Sequence, residues 1–178
     1  MRRLNAAFTL AVALALIIAG GCRRGSKVSV ETVEEGSQEL ASMIHVADPR
    51  TSIQLLRGFH DVEQNAWRWT LSKFSVTLRP PAGAVGKGAL LQLKLSIPDA
   101  VIAKVGPVTL SAAIGASSLE PQSFAKAGEH LYSREVPSEV FTGEAVTVDF
   151  ALDKFLAAGT VEQRELGIVV TMVGLLAK

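Results

Sequence analysis

The chain has 178 residues, of which 48% are hydrophobic, and its 18 basic and 17 acidic side chains nearly balance. This balance excludes the strongly basic surface on which nucleic-acid-binding proteins depend, so we expect no nucleic-acid partner. The single cysteine excludes an internal disulfide, and the three scattered histidines lack the spacing of zinc ligands. We therefore predict neither a metal nor a cofactor.

The first 21 residues have the layout of a secretory signal peptide. Arg2 and Arg3 form a basic start, and residues 6–19 form an apolar run. This run is shorter than the roughly 20 apolar residues that a transmembrane helix needs. Gly20 and Gly21 then supply the small residues that precede a cleavage site. The signal peptide is predicted to be removed from the mature protein.

Cys22 follows directly, and the small-small-cysteine triplet resembles the lipobox of bacterial lipoproteins, with Ala19 where Leu is most often seen. The resemblance implies cleavage between Gly21 and Cys22 and transfer of diacylglycerol to the cysteine sulfur. The alternative is a small buried cysteine, which the position between a signal peptide and a charged segment does not favour. Because two or more acyl chains hold a protein firmly on a membrane, a stable anchor is expected.

The resemblance also implies a location and a first partner. Arg23 stands where enterobacterial lipoproteins of the inner membrane carry Asp, so the periplasmic face of the outer membrane is expected in a source with two membranes. Removing the signal peptide, which contains two arginines and no acidic residue, leaves a net charge of −1. The membrane is therefore the first predicted partner, through the lipid anchor.

Residues 22–47 are predicted to be a tether, because they are polar and acidic, with "ETVEEGSQE" at their centre. A short helix is predicted over residues 49–57. Asp48 can cap this helix, Pro49 suits its first turn, and Gly58 stands where a helix ends. The folded domain is accordingly expected to span residues 48–178.

Beyond the helix the pattern changes to period-two alternation, which is typical of half-buried strands. It covers residues 74–78, 91–97, 108–114 and 146–152, and the last run, "LGIVVTMVGLL", predicts a central strand because it is apolar on both faces. The segment "GAVGKG" lacks the residues of a phosphate-binding loop and is interpreted as a hairpin loop. About seven or eight short strands predict a mainly β protein. We expect a single antiparallel β-sandwich, immunoglobulin-like or jelly-roll-like, with one short N-terminal helix.

No catalytic constellation emerges from the residues. The chain has no Gly-x-Ser-x-Gly motif to expose a nucleophilic serine. Acidic pairs such as Asp149 and Asp153 lie on the polar side of a predicted strand, where carboxylates are solvated. The protein is therefore predicted not to be an enzyme.

Two segments carry a family resemblance, "GFHDVEQNAWRWT" (residues 58–70) and "VEQRELGIVV" (residues 161–170). They resemble a small β-sandwich module of envelope and glycosyltransferase-associated proteins, whose pattern is Gly-aromatic, Glu, Arg-Trp and a late Asp-x-Arg-x-Leu-Gly. The matching residues are Gly58, Phe59, Glu63, Arg68, Trp69, Arg164, Leu166 and Gly167, with Glu162 where Asp is usual. The resemblance implies a non-catalytic accessory domain with carbohydrate contacts.

Strand alternation separates the "WRW" triplet into two faces, with Trp67 and Trp69 on one and Arg68 on the other. We interpret the tryptophans as core residues, because a sandwich of this length needs large side chains inside and aromatic residues dominate core energetics. The alternative is an exposed platform on which sugars stack.

Arg68 is predicted to join Glu63, Glu162 and Arg164 in a network of ion pairs that ties the first strand to the last. The physical reason is that the planar guanidinium pairs bidentately with carboxylates. The alternative is that Arg68 and Arg164 bind an anionic group.

These features predict a membrane-anchored envelope lipoprotein whose β-sandwich is a non-catalytic binding module for a polysaccharide or an envelope protein. The alternative is a structural subunit of an envelope assembly that pairs through an exposed sheet edge. Surface tryptophans would favour the binding module, and a long uncharged edge strand would favour the subunit.

Overall fold

The computed structural model describes residues 39–178. The signal peptide, Cys22 and most of the predicted tether lie outside the described residues. Within residues 39–178 the chain forms nine strands and two α-helices, in addition to two 3-10 helices. The strands are β1 (Met43–His45), β2 (Leu55–Glu63), β3 (Trp67–Leu78), β4 (Ala89–Ile97), β5 (Val108–Ile114), β6 (Ser117–Phe124), β7 (Gly128–Val136), β8 (Val146–Leu152) and β9 (Val169–Ala177), and the helices are α1 (Ala84–Lys87), α2 (Asp99–Val105) and the 3-10 helices Pro49–Gln54 and Ser138–Val140.

Strand β3 is long and belongs to two sheets. Its first residues pair with β9, and this sheet, which we call sheet A, continues through β4 to β7. Its later residues pair with β8, and this second sheet, sheet B, continues through β5 to β6. Strand β1 adds to β9, and β2 adds to β3. All pairs are antiparallel, and their order is that of a jelly roll, so the prediction of an antiparallel β-sandwich is confirmed.

The core lies between the two sheets, and four aromatic rings connect the sheets across it. Phe74 of β3 stacks on Phe150 of β8 with ring centroids 4.8 Å apart. Phe59 of β2 meets Phe74 edge-on at 5.4 Å, and Tyr132 of β7 meets Phe150 edge-on at 6.5 Å. Tyr132 and Phe74 are fully buried. Because Tyr132 belongs to sheet A and Phe150 to sheet B, this cluster holds the two sheets together.

Side chains connect the outermost strands of the two sheets, β6 and β7. Arg134 of β7 donates from Nε to the carbonyl oxygen of Glu120 at 2.7 Å and from Nη2 to that of Pro121 at 3.0 Å. The Tyr132 hydroxyl also donates to the Glu120 carbonyl, at 3.1 Å. The guanidinium of Arg134 lies over the Tyr132 ring, 4.8 Å from its centroid. These contacts cover backbone groups of β6 that an incoming strand would otherwise use.

The start of the domain differs from the prediction in two ways. Strand β1 lies inside the predicted tether of residues 22–47, where Ile44 is fully buried opposite Val173. The predicted helix over residues 49–57 is a 3-10 helix that ends at Gln54. Asp48 caps it as expected, accepting from the Arg50 N–H at 2.9 Å. The helix stops early because the Gln54 side chain is buried and bonds the carbonyls of residues 41 and 77, which directs the chain into β2.

The connections between strands also contain helices that the sequence pattern did not predict. The "GAVGKG" segment is not a hairpin loop, because it contains α1 and joins β3 to β4, which do not pair with each other. Helix α2 joins β4 of sheet A to β5 of sheet B. Both segments cross from one sheet to the other, and a tight two-strand turn cannot make that crossing. None of the helices in residues 39–178 is long and apolar enough to cross a membrane.

Candidate functional site

The outer faces of the two sheets differ in chemistry. Residues paired across neighbouring strands point to the same face, so the register identifies each face. The outer face of sheet B is polar, with Ser75, Thr77, Ser111, Thr147 and Asp149. The outer face of sheet A carries large apolar side chains, namely Met43, Trp69, Leu90, Leu131, Val169, Met172 and Leu176. Polar and charged side chains lie among them, namely His45, Gln92, Lys94, Ser96, Glu129, Ser133 and Glu135. Large apolar side chains that are exposed on one outer face, such as Met43 and Leu131, are typical of a binding surface.

The two tryptophans lie on this outer face, and the predicted assignment of the two faces of β3 is therefore wrong. Trp69 is opposite Val169, which pairs with Ser96 on the outer side. Arg68 is opposite Val170, which is fully buried in the core. The arginine thus shares the inner face, at the end of the sandwich, and the tryptophans share the outer face.

Trp67 and Trp69 form an edge-to-face pair, with ring centroids 6.4 Å apart and an interplanar angle of 79°. Both side chains are half-buried. Trp69 packs against the border of the hydrophobic core, whereas Trp67 lies further out. The interpretation as a core residue is therefore wrong for Trp67. Trp69 contacts the core, but only at its border. Half-exposed tryptophans combine an apolar ring surface with an N–H donor, a combination common at interfaces.

A cluster of three charged side chains lies next to this pair. Glu63 of β2 is directly opposite Trp67. Its Oε1 accepts from Nη1 of Arg164 at 2.9 Å, and Arg164 donates from Nη2 to Oε2 of Glu162 at 3.1 Å and from Nε to Oε1 of the same carboxylate. The hydrogen bonds from Arg164 lower the pKa of Glu162 below its ordinary value, and the two carboxylates raise the pKa of Arg164. We call Trp67, Trp69, Glu63, Glu162 and Arg164 the aromatic corner.

The segment of residues 153–168 between β8 and β9, which we call the strap, brings two of these residues to the corner. Its Leu156 and Leu166 pair with each other through two backbone hydrogen bonds of 2.8 and 2.9 Å. The Gly167 N–H donates to the Thr70 carbonyl of β3 at 2.7 Å. Glu165 accepts from the Ser72 N–H at 2.7 Å through Oε1. The strap is thus bound along β3, which places Glu162 and Arg164 beside β2.

The structure brings together three of the four residues predicted to form a network. Arg68 is the exception, because its guanidinium contacts no carboxylate in the described residues. It donates from Nε to the Val46 carbonyl at 2.7 Å and from Nη1 to the His60 carbonyl at 2.8 Å. These partners follow from its position on the inner face, at the end of the sandwich. Backbone carbonyls need a hydrogen-bond donor there, whereas solvated carboxylates do not.

These contacts disfavour the alternative that Arg68 and Arg164 bind an anionic group. Arg68 uses two of its nitrogens on backbone carbonyls, and Arg164 uses all three on two carboxylates. An incoming anion would have to displace a carboxylate that is already paired.

Sequence reasoning missed part of the outer face of sheet A. Met43 lies within the predicted tether, and Leu131 follows no clear alternation in "EHLYSREV". Met43 is 41% exposed and Leu131 is 44% exposed, although both are large and apolar. A signal for strand β1 was available in "MIHV", where Ile44 and Val46 recur with a period of two and leave Met43 on the other face.

Replacing Arg68 with alanine is expected to lower the free energy of unfolding by about 2 kcal/mol, because two carbonyls at the end of the sandwich lose a charged donor. Urea denaturation measures the loss. The matched control is Arg57→Ala, whose guanidinium is two-thirds exposed and pairs with Asp149 on the polar face of sheet B. It is expected to cost less than about 1 kcal/mol. Equal losses in the two variants would contradict the bridging role of Arg68.

Residues 39–178 contain no group of three or more His, Cys, Asp and Glu side chains arranged to hold a metal ion.

No family model matches the chain, and no curated protein sequence matches it. Among solved structures, the chain is similar to TmCBM27, a carbohydrate-binding module described for specific mannan recognition, with a TM-score of 0.44 and 9% identity over 76% of this chain and 95% of that one. It is also similar to a CBM4 structure, with a TM-score of 0.34 and 9% identity over 76% of this chain and 85% of that one. At these values the two likenesses assign no ligand to this chain.

Proposed function

We propose that the protein is a non-catalytic binding module, held by lipid on Cys22 at the periplasmic face of the outer membrane, and that the outer face of sheet A binds a polysaccharide. The observation that carries the proposal is the position of the two tryptophans. They are the only tryptophans of the chain, and they lie together, half-exposed, on the outer face of a sheet.

The chemistry of the outer face fits a sugar chain. The apolar faces of sugar rings lie against indole rings, and hydroxyl groups need nearby polar side chains. Gln92, Ser96 and Ser133 supply such groups on the same face, in rows with the apolar residues. A surface that alternates apolar area with a few hydrogen-bonding groups is suited to a ligand of that mixed character.

The alternative of a structural subunit that pairs through a sheet edge is less well supported. β2 pairs with a neighbour on one side only in the described residues. Its pairing with β3 has three register shifts, and the strand carries Arg57, Asp61 and Glu63. Bulges and charges are the usual means of preventing edge pairing. A protein partner on the outer face of sheet A remains an outcome of the binding test.

Replacing Trp67 with alanine is expected to weaken polysaccharide binding about tenfold or more, because exposed aromatic anchors dominate such interfaces. Stability should change little, since Trp67 lies outside the core. Migration in native gels containing neutral, amine-bearing or acidic polysaccharides measures binding, and intrinsic fluorescence reports on the aromatic corner because both tryptophans lie there. Thr147→Ala, on the polar face of sheet B, is the control and should bind normally. Unchanged retention of the Trp67 variant would contradict the proposed face.

Replacing Cys22 with serine is expected to release the protein from membranes, because serine offers no sulfur for diacylglycerol. Fractionation of cells and labelling with a radioactive fatty acid measure the anchor. Ser26→Ala, a change of similar size in the same segment, should keep both the label and the membrane fraction. A Cys22 variant that still sediments with membranes would overturn the anchoring part of the proposal.

A further inference from the structure

We infer that the aromatic corner selects amine-bearing sugars, whose ammonium groups are positively charged, over acidic sugars. The inference rests on the proposed function, since it assumes that the outer face of sheet A binds a polysaccharide. It specifies the sign of the ligand's charge, which the two tryptophans alone do not determine.

The first step is the charge at the corner itself. Arg164 supplies one positive charge against the two carboxylates of Glu63 and Glu162, so the triad carries a net charge of −1. Because Arg164 holds the pKa of Glu162 below its ordinary value, that carboxylate stays ionised near neutral pH. The raised pKa of Arg164 likewise keeps the guanidinium charged.

The second step is the charge around the corner. Asp61 is exposed and lies opposite Trp69, in the β2 bulge between the pairs Phe59–Thr70 and Val62–Arg68. Glu165 adds a carboxylate on the strap, and Arg68 adds a guanidinium on the inner face. Four carboxylates therefore lie near two guanidiniums and the His60 imidazole in this region, and Nε2 of that imidazole lies 2.7 Å from the Glu165 carbonyl oxygen. Both guanidiniums are engaged, whereas Asp61 makes no hydrogen bond or ion pair among the described contacts.

The third step is the effect of these negative charges on a bound sugar. An ammonium group over an indole ring is attracted by the electron-rich face of the ring, and tryptophan is the strongest partner for this contact. A carboxylate of Glu63 beside Trp67 adds a Coulomb attraction for the same group. A sugar carboxylate or sulfate at the corner would meet this net negative charge, to which Glu129 adds in the row of Ser96, Val169 and Trp69. The exposed cation of the same face, Lys94, lies in the row of Met172 and Leu131 rather than in the row of Trp69. The corner thus favours ammonium and opposes anions.

The experiment compares three oligosaccharides of equal length with the detergent-solubilised, full-length protein. They are the β-1,4-linked hexamers of glucosamine and of N-acetylglucosamine, which share one backbone and differ in the amine, and the hexamer of galacturonic acid. At low salt and a pH at which the amine is protonated, the glucosamine hexamer is expected to bind about tenfold more tightly than its acetylated counterpart. The acidic hexamer should bind most weakly. Raising the salt concentration should reduce the preference, since exposed charges are screened.

Two variants assign the preference to the corner. Glu63→Gln should bring the affinity for the glucosamine hexamer down to that of the N-acetylglucosamine hexamer, while Glu144→Gln, the same change on the exposed loop before β8, should keep the tenfold difference. If Glu63→Gln alters the circular dichroism spectrum, Asp61→Asn takes its place, because Asp61 is exposed.

Each outcome decides the inference. Equal binding of the two glucosamine-based hexamers, or tighter binding of the acidic one, would overturn charge selection and leave the polysaccharide-binding proposal in place. A preference for glucosamine that survives Glu63→Gln, or Asp61→Asn where it takes its place, would also overturn it, because the charge would then lie elsewhere. Binding of none of the three, nor of any polysaccharide in the native gels, would overturn both.

Discussion

Replacing Gly58 with alanine is expected to lower the free energy of unfolding by about 4 kcal/mol, one of the two largest effects that we predict. Gly58 has a φ of +76°, which alanine adopts only with strain. A Cβ at this position would lie 2.1 Å from the Lys73 carbonyl oxygen and 2.7 Å from the Phe74 Cα. Both obstacles are backbone atoms of β3, so no side-chain rotation relieves them. Urea denaturation followed by circular dichroism measures the loss.

The control separates steric contact from backbone strain. Gly83 has a similar φ of +82°, but a Cβ there would meet no atom within 4 Å. Gly83→Ala should therefore cost only about 1 kcal/mol, the strain of the left-handed conformation. If the two alanine variants lost the same stability, the close approach of β2 to β3 would not be what requires glycine at position 58.

The strand pattern could be predicted where one face of a strand is buried along its whole length. β4, β5 and β8 lie close to the predicted runs, because each alternates buried and exposed residues without interruption. β9 is central as expected, since β4 flanks one side and β1 and β3 the other. In these strands the period of two determines the structure directly.

The faces of β3 were misassigned because the size of the tryptophans outweighed the alternation. Phe74 and Val76 face the core, and period-two alternation carried back from them places Arg68 on the same side and the two tryptophans on the other. The structure has this arrangement, since Arg68 is opposite the buried Val170. The alternation was therefore the better guide, and the expectation that large aromatic side chains fill the core was not.

Part of the candidate site could be predicted from the sequence. Charged residues placed near an expected strand junction suggested that Glu63, Glu162 and Arg164 would meet, and they do. The partners of Arg68 could not be predicted, because backbone carbonyls are present at every position and leave no trace in the sequence. Gly58 and Gly167 both lie close to β3, so these two glycines have a structural role.

Replacing Phe74 with alanine is expected to cost about 4 kcal/mol, because the ring is fully buried and its loss leaves a cavity between the sheets. Phe74 contacts both Phe59 and Phe150, so the cavity would open at the centre of the aromatic cluster. Urea denaturation measures the change. Phe74→Leu should lose less because it keeps part of the volume, and Ile53→Ala, at a side chain that is 57% exposed, should lie within about 0.5 kcal/mol of the original protein. A Phe74→Ala loss no larger than that of Ile53→Ala would show that the ring does not join the sheets.

Combining Gly58→Ala with Phe74→Ala tests whether the two large effects have separate causes. Residues in contact usually show non-additive losses. Here the obstacles to a Cβ at position 58 are the Lys73 carbonyl oxygen and the Cα and Cβ of residue 74, all of which alanine retains. The losses should therefore add. A double variant clearly more stable than the sum of its parts would mean that the phenyl ring holds the two strands at their close distance, because its removal would then let β3 move away from β2.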